Sequence, residues 1–362
     1  MKRIVTIILT LVMAINLNVF AMENLSVTTN DQIELSKESL EFLKAHNVDM
    51  KIFEDISKES ATLYSNDERD ISYTRSYDEI VKSVKAEATA YNFTDEQIEQ
   101  LINSSIHTPI TFIVPEQSDM ELMTTQPSSQ NRPSDDGVGY EVASAAGYHT
   151  ITAFATLPTV NTGTDNNGED VAGYMFWTVN GKVDIGLCYS KGWYGNKWRF
   201  CWLYAGGSLQ TPPASEDVAR LQEVRDLYLR MKVIDNEWIQ LEIINANNFN
   251  ETIKAYSVYT GGLGITQTNA QWRRQITLCT SEKDSNGNVV FDGGASLTGA
   301  EFSDCYIYSG NSTSGVTTLT RGAYVDTTYC GKFGIDNISK NYVDIVDYEE
   351  WYYEKINIQF PQ

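Results

Sequence analysis

Histidine is scarce in this chain of 362 residues: His46, His107 and His149 are the only three. That poverty excludes zinc catalysis built on several imidazoles and leaves little material for a histidine-dependent nucleophilic triad. No G-x-S-x-G occurs, so a serine hydrolase of the nucleophile-elbow type is excluded as well. The five cysteines, Cys188, Cys201, Cys279, Cys305 and Cys330, are widely spaced and form no C-x-x-C. A zinc ribbon and a thioredoxin-type redox site therefore fall away, and an odd number cannot pair completely within one chain. Basic residues are also in deficit, 27 against 48 acidic, for a formal charge of −21. Such a surface repels nucleic acid, anionic membranes and polyanionic glycans. No repeat recurs at a fixed period, which argues against propellers and solenoids.

What is present begins with an export signal. Lys2 and Arg3 form a positive start, Ile4 to Ile15 give an apolar stretch too short to span a bilayer, and Val19-Phe20-Ala21 suits a signal peptidase. Residues 1–21 are thus expected to be removed, giving a secreted, extracellular protein with no membrane anchor after cleavage. No cysteine follows the apolar stretch, which argues against a lipid anchor. The mature chain keeps 25 basic residues against 48 acidic ones, a formal −23. At 42% hydrophobic composition it can bury a core.

Three further regions follow. Residues 22–115 have helical character: Ser36 is a candidate N-cap, and Ser76-x-x-Glu79 and Thr94-x-x-Gln97 fit capping boxes that open a short hairpin over 76–104. Residues 116–139 are rich in Ser, Thr, Gln, Pro and Asp, the composition of a flexible linker. Residues 140–362 alternate short Val/Ile/Thr/Tyr/Trp runs with Gly, Asn and Asp clusters. The expected strands are 148–157, 172–179, 182–190, 197–205, 225–234, 237–245, 253–260, 271–280, 288–292, 300–308, 316–325 and 353–360. Short strands with frequent turns predict a mostly β chain, a jelly-roll or concanavalin-like β-sandwich behind a small helical region. If 182–190 and 197–205 form a hairpin centred on 193–196, paired numbers sum to 389. Val183, Ile185, Leu187, Phe200, Trp202 and Tyr204 then share a core face, and Cys188 stands opposite Cys201 as a disulfide candidate.

Chemistry-bearing candidates are dispersed. Trp193 and Tyr194 occupy a turn-rich loop, where exposed aromatics suit a sugar face or a hydrophobic partner. Trp238, Gln240 and Glu242 lie on one face of an alternating strand, a row in which a ring stacks and polar groups bond hydroxyls. Paired carboxylates would serve a glycosidase, and Glu237, Glu242, Glu301, Asp304, Asp184 and Asp170 lie on or near strands, but no compact E-x-D-x-x-E is present. Asp165, Asn167, Glu169 and Asp170 place oxygen ligands in one loop, a weak structural-calcium site without the bidentate glutamate of a helix-flanked calcium loop. Asp284 to Asn288 is explained as an Asn-Gly hairpin turn.

The run from Ala143 to Val160, the Gly173-Tyr-Met-Phe-Trp177 strand and the 182–205 hairpin resemble the YrpD-type secreted proteins of Gram-positive bacteria. The resemblance spans about 140–360, implies a secreted β-sandwich and transfers no functional residue. Two functions follow as expectations. The first is a non-enzymatic module binding an extracellular glycan or a protein surface, with no cofactor beyond a structural calcium. The alternative is a secreted hydrolase, glycosidase or acid-type peptidase, using paired carboxylates. In either case the helical region is a candidate pro-segment lying over the sandwich.

Overall fold

The computed structural model describes residues 35–53, 62–64, 77–114, 137–163, 171–190, 196–205, 207, 209–212, 219–280, 284–286, 290–291, 293–309, 316–318, 330–332, 342–349 and 352–362. Among the described residues three α-helices precede the sandwich: α1 (Lys37–Ala45), α2 (Tyr77–Tyr91) and α3 (Asp95–His107). Ser36 caps α1 by accepting from the Ser39 N–H, and Thr94 with Gln97 closes the expected capping box on α3. The strands are β1 (Thr62–Tyr64), β2 (Ile110–Ile113), β3 (Gly137–Ala143), β4 (Thr150–Thr156), β5 (Thr159–Asn161), β6 (Val171–Val179), β7 (Val183–Ser190), β8 (Lys197–Tyr204) and β9 (Asp226–Val233). They continue as β10 (Trp238–Asn245), β11 (Thr252–Tyr259), β12 (Trp272–Thr280), β13 (Ser296–Tyr308), β14 (Val316–Thr318), β15 (Cys330–Lys332), β16 (Val343–Glu349) and β17 (Tyr353–Gln359).

Among the described residues two sheets face each other. The larger runs β1-β2-β11-β10-β9-β4-β13-β17-β16, with β5 and β14 also on β13; the smaller runs β15-β3-β12-β6-β7-β8. The sandwich expected from the alternating pattern is therefore present. The reason is visible strand by strand. Leu227, Leu229, Met231 and Val233 of β9 and Ile239, Leu241 and Ile243 of β10 point inward. Met175, Trp177 and Val179 of β6, and Phe200, Trp202 and Tyr204 of β8, point back from the other sheet. Burying one such side chain contributes roughly 1.5–3 kcal/mol, and period-two alternation directs each strand's apolar set to one side.

The hairpin of β7 and β8 has the expected core face but a different register. Val183 pairs with Tyr204 and Ile185 with Trp202, so Cys188 stands opposite Arg199 and Gly186 opposite Cys201. Cys188 and Cys201 are diagonal neighbours on the outer face, and both are buried free thiols. The proposed Cys188–Cys201 disulfide is thereby corrected: a two-residue shift in pairing keeps every side chain on its face while changing its partner.

The helical region is joined to the sandwich by strands as well as helices. β1 and β2 extend the larger sheet in parallel beyond β11. The signal segment, residues 116–136 and the Trp193-Tyr194 and Asp165–Asp170 loops lie outside the described residues.

One ion pair crosses the sandwich interior. Arg274 of β12 donates from Nε and Nη2 to the two carboxylate oxygens of Glu354 on β17, each at 2.5 Å, and its guanidinium lies 5.6 Å from the Phe302 ring centre. Both side chains are fully buried. Removing one partner of such a pair leaves a buried charge uncompensated, at a cost of about 3–5 kcal/mol. Glu354→Ala is therefore expected to lower unfolding stability by about that amount, whereas Arg274→Met with Glu354→Leu stays within about 1–2 kcal/mol of the parent. Urea unfolding checks both, and a loss from Glu354→Ala below about 1 kcal/mol would contradict the role assigned to the pair.

Candidate functional site

The two outer faces of the sandwich differ. That of the larger sheet lies beneath the helices. α2 presents Glu87 and Tyr91 one turn apart on the same side. The Glu87 carboxylate accepts from Arg230 Nη2 at 2.7 Å and from the Tyr228 hydroxyl at 2.8 Å. Arg230 also donates to Glu242 and, at 3.1 Å, to Ser105 on α3; Gln240 Nε2 donates to Glu242 at 2.9 Å. Around this charged centre Phe154, Tyr228 and Phe249 of the sandwich pack against Tyr91 and Phe93.

The row of Trp238, Gln240 and Glu242 is thus on one face, as alternation required, but it is not open. Gln240 and Glu242 are 7% and 4% exposed. Trp238 packs edge-on to Phe112 of β2 and to Tyr259. Glu237 is exposed in the turn before β10, and Glu301 lies on β13 against Lys355 at 3.4 Å. Glu242 and Glu301 are separated by three strand spacings, roughly 14 Å, too far for two carboxylates to flank one glycosidic bond. Asp304 accepts from the Tyr352 hydroxyl. His149 is engaged with the Thr150 hydroxyl at 2.7 Å.

The outer face of the smaller sheet brings polar groups together from three strands. Cross-strand register sets out its rows. Arg273, Thr178 and Asp184 stand side by side on β12, β6 and β7. In the next row are Glu141, Gln275, Phe176 and Gly186 on β3, β12, β6 and β7, and in the next Thr277, Tyr174 and Cys188. Three of these groups form a relay. Gln275 Nε2 donates to the Thr178 hydroxyl at 2.6 Å, and that hydroxyl donates to Asp184 Oδ1 at 2.5 Å. Asp184 is 7% exposed, Thr178 and Gln275 1% each. Phe176 and Tyr174 are half-buried and meet edge-on, with ring centres 6.0 Å apart. Gly186 makes room beside them, since a Cβ there would lie 2.5 Å from the Cβ of Phe176. At the border Arg273 pairs with Glu141 at 3.0 Å.

No family model and no curated protein matches this chain. Among solved structures it is similar to scytalido-glutamic peptidase with a transition state analog inhibitor, at 14% identity and a TM-score of 0.36, covering 61% of this chain and 97% of that one. It is similar also to SCP-B, a member of the Eqolisin family of peptidases in complex with the tripeptide Ala-Ile-His, at 14% identity and a TM-score of 0.34 over the same shares.

Asp184 was legible as an outer-face residue from the parity of its hairpin. Gln275 and Thr178 were not singled out, although the same parity applied to 271–280 and 172–179 would have aligned them with it. Cys201 lies close by, its thiol held well above the ordinary range by burial first and by its hydrogen bond with Cys188 next, which makes it a poor nucleophile. Among the described residues no group of three or more His, Cys, Asp or Glu is arranged to hold a metal ion. No described helix is long and apolar enough to cross a membrane.

The carboxylate beneath the helices carries a pH signature. Burial pushes Glu87 above the ordinary glutamate value of 4.5, outweighing the opposing pull of Arg230 and Tyr228. A carboxylate that binds its proton more tightly in the folded state favours folding at low pH. That contribution fades as pH climbs from the ordinary glutamate value through the raised one. Glu87→Gln is expected to flatten this part of the decline while preserving an acceptor for Arg230. Urea midpoints of the two proteins at a series of pH values from 4 to 7 check it; parallel curves would refute the assignment.

Proposed function

We propose that the protein is a secreted acid-type hydrolase whose reacting groups are Asp184 and Gln275 on the outer face of the smaller sheet. The observation that carries this reading is the relay from Gln275 through Thr178 to Asp184, built on three adjacent strands and held within the sheet face. A carboxylate positioned by a hydroxyl can take a proton from water as the water attacks a carbonyl, then return it to the leaving group. A carboxamide N–H beside it can stabilise the oxyanion that develops. Thr178 couples the two, so that a change of charge on Asp184 is felt at the Gln275 amide. A site that relies on a carboxylate rather than imidazole for proton transfer works best at acidic pH.

The arrangement favours acyl over glycosidic bonds. Glycosidases set two carboxyl groups about 5–10 Å apart. On the described strands of this face the other carboxylate is Glu141, on β3, with β12 and β6 between it and Asp184. Three strand spacings amount to roughly 14 Å. The glycan-binding reading loses its support at Trp238, Gln240 and Glu242, which the helices and β2 cover.

Wild type, Asp184→Asn and Gln275→Ala, each confirmed folded by circular dichroism, are to be assayed between pH 3 and 7 on unfolded polypeptide and on neutral polysaccharide. Polypeptide cleavage that peaks at acidic pH is expected. Asp184→Asn should fall at least about 100-fold and Gln275→Ala by about 100- to 1,000-fold. Undiminished cleavage by Asp184→Asn, or release of oligosaccharides alone, would overturn the proposal.

A further inference from the structure

The last strand of a sheet presents a row of main-chain N–H and C=O groups to its surroundings, and monomers guard such edges with charge, with bulges or by covering them. Among the described residues β16 is the last strand at one end of the larger sheet. It carries charges and a bulge, yet it leaves apolar side chains uncovered. Every residue from Asp344 to Glu349 is exposed. Of the four large apolar side chains exposed among the described residues, three lie here: Ile345 at 42%, Val346 at 49% and Tyr348 at 40%. Register explains the concentration. Ile345 and Tyr348 stand opposite Ile356 and Glu354, whose side chains are buried, and Val346 is the extra residue of the bulge. Asp344, Asp347 and Glu349 take the other side of the strand. Among the described residues none of these three carboxylates makes an ion pair, and Lys355, in register with Asp347, is paired with Glu301. Where β16 begins, an open cleft of about 490 Å³ is lined by Tyr342, Val343, Asp344 and Pro361 among others.

We infer that β16 is a docking edge for an extended basic segment of a partner protein, which joins the larger sheet as a further strand. The edge supplies main-chain bonds, as in other cases of strand addition, and Ile345 and Tyr348 supply apolar contact. Charge decides the occupant. A second copy of β16 would set Asp344, Asp347 and Glu349 against their own kind, and like charges facing each other across strands are destabilising. The whole chain, at a formal −21, repels its own copies as well. A strand with Lys or Arg on one face and apolar residues on the other complements both sides of β16. Its cations run along the carboxylates while its apolar side chains rest on Ile345 and Tyr348. The cleft suits one of those cations: an aliphatic stem lies along Val343 and Pro361, and the charged head reaches the Tyr342 ring and the Asp344 carboxylate. The edge belongs to the larger sheet and the Asp184 relay to the smaller, so this reading does not depend on the hydrolase proposal.

The probe is a blocked, fluorescent peptide of alternating Lys and Val, seven residues long like β16, whose binding to the full chain is read by anisotropy at neutral pH. Two companions separate charge from main-chain pairing: one carries Glu for Lys, and one keeps the Lys-Val sequence but is N-methylated along its main chain. The Lys peptide is expected to bind and both companions to fail. Asp344→Asn, Asp347→Asn and Glu349→Gln together should weaken binding about tenfold. The same number of neutralisations elsewhere on the surface, Glu96→Gln, Glu223→Gln and Glu237→Gln, should leave it within about twofold. Ile345→Ser with Tyr348→Ser should weaken binding at an unchanged melting temperature, since both side chains are exposed. Equal binding of either companion, or equal losses from the two triple variants, would reduce the contact to unspecific charge and overturn the inference. A dimer in sedimentation that Ile345→Ser abolishes would overturn it too, by making a second copy the occupant.

Discussion

Arg274 and Glu354 tie the centre of the smaller sheet to the larger one, and the outer face depends on that tie. Side chains alternate along β12, so the residue that sends Arg274 inward also sends Arg273, Gln275 and Thr277 outward. A slip of one residue would expose a buried guanidinium and drive Gln275 into the core. Hydrophobic alternation alone tolerates some slippage, but a bidentate ion pair in a low-dielectric interior does not. Specificity of this kind is a recognised role for buried charges, whose net contribution to stability is small or negative. The pair therefore fixes where the Gln275 amide stands relative to Asp184 on β7.

The two outer faces use buried polarity differently. Beneath the helices, Glu87 and Glu242 bracket Arg230, and the ligands come from α2 and β10 on opposite sides of the interface. The charges are matched only while the helices are docked, so the network sets one orientation for the helical region. Sliding it along the sheet would strand at least one charge. β1 and β2 add main-chain bonds at the sheet edge to the same end. A pro-segment that plugs the Asp184 relay is not what this packing describes, because the helices sit on the opposite side of the sandwich. On the outer face of the smaller sheet Asp184, Arg199 and the pair Arg273–Glu141 carry charge among neutral polar groups.

Much of the sandwich was legible because alternation encodes which face a residue takes. Val183, Ile185 and Leu187 with Phe200, Trp202 and Tyr204 form core as their spacing demanded. What alternation cannot encode is which residue a side chain meets. Pairing sums of 389 and 387 place the same side chains inward, so the β7–β8 core was foreseeable while the Cys188–Cys201 partnership was not. β3 escaped notice because Gly137 and Gly139 follow a Ser/Pro/Asp-rich stretch and read as its end. Gly137 is required there, since a Cβ would lie 2.4 Å from Cys279 Sγ. The row Trp238, Gln240 and Glu242 was placed on the correct face, but its cover comes from residues some 150 positions earlier, a relation no local pattern carries.

The same limit governs the site itself. Asp184 and Gln275 are 91 positions apart and meet only because β6 lies between their strands and contributes Thr178. A motif search looks for chemistry concentrated in sequence, and this chain concentrates none. Its scarcity of histidine turns attention to the 48 acidic residues as groups able to transfer a proton. Among the carboxylates placed by the structure, Glu87, Glu242 and Glu354 are each bonded by a buried arginine. A carboxylate locked in an ion pair at full burial cannot exchange protons with substrate without stranding the arginine. Asp184 accepts from the Thr178 hydroxyl, which is bonded in turn by Gln275. That chain, drawn from three strands, is what turns a dispersed set of polar residues into a single place where catalysis can be sought.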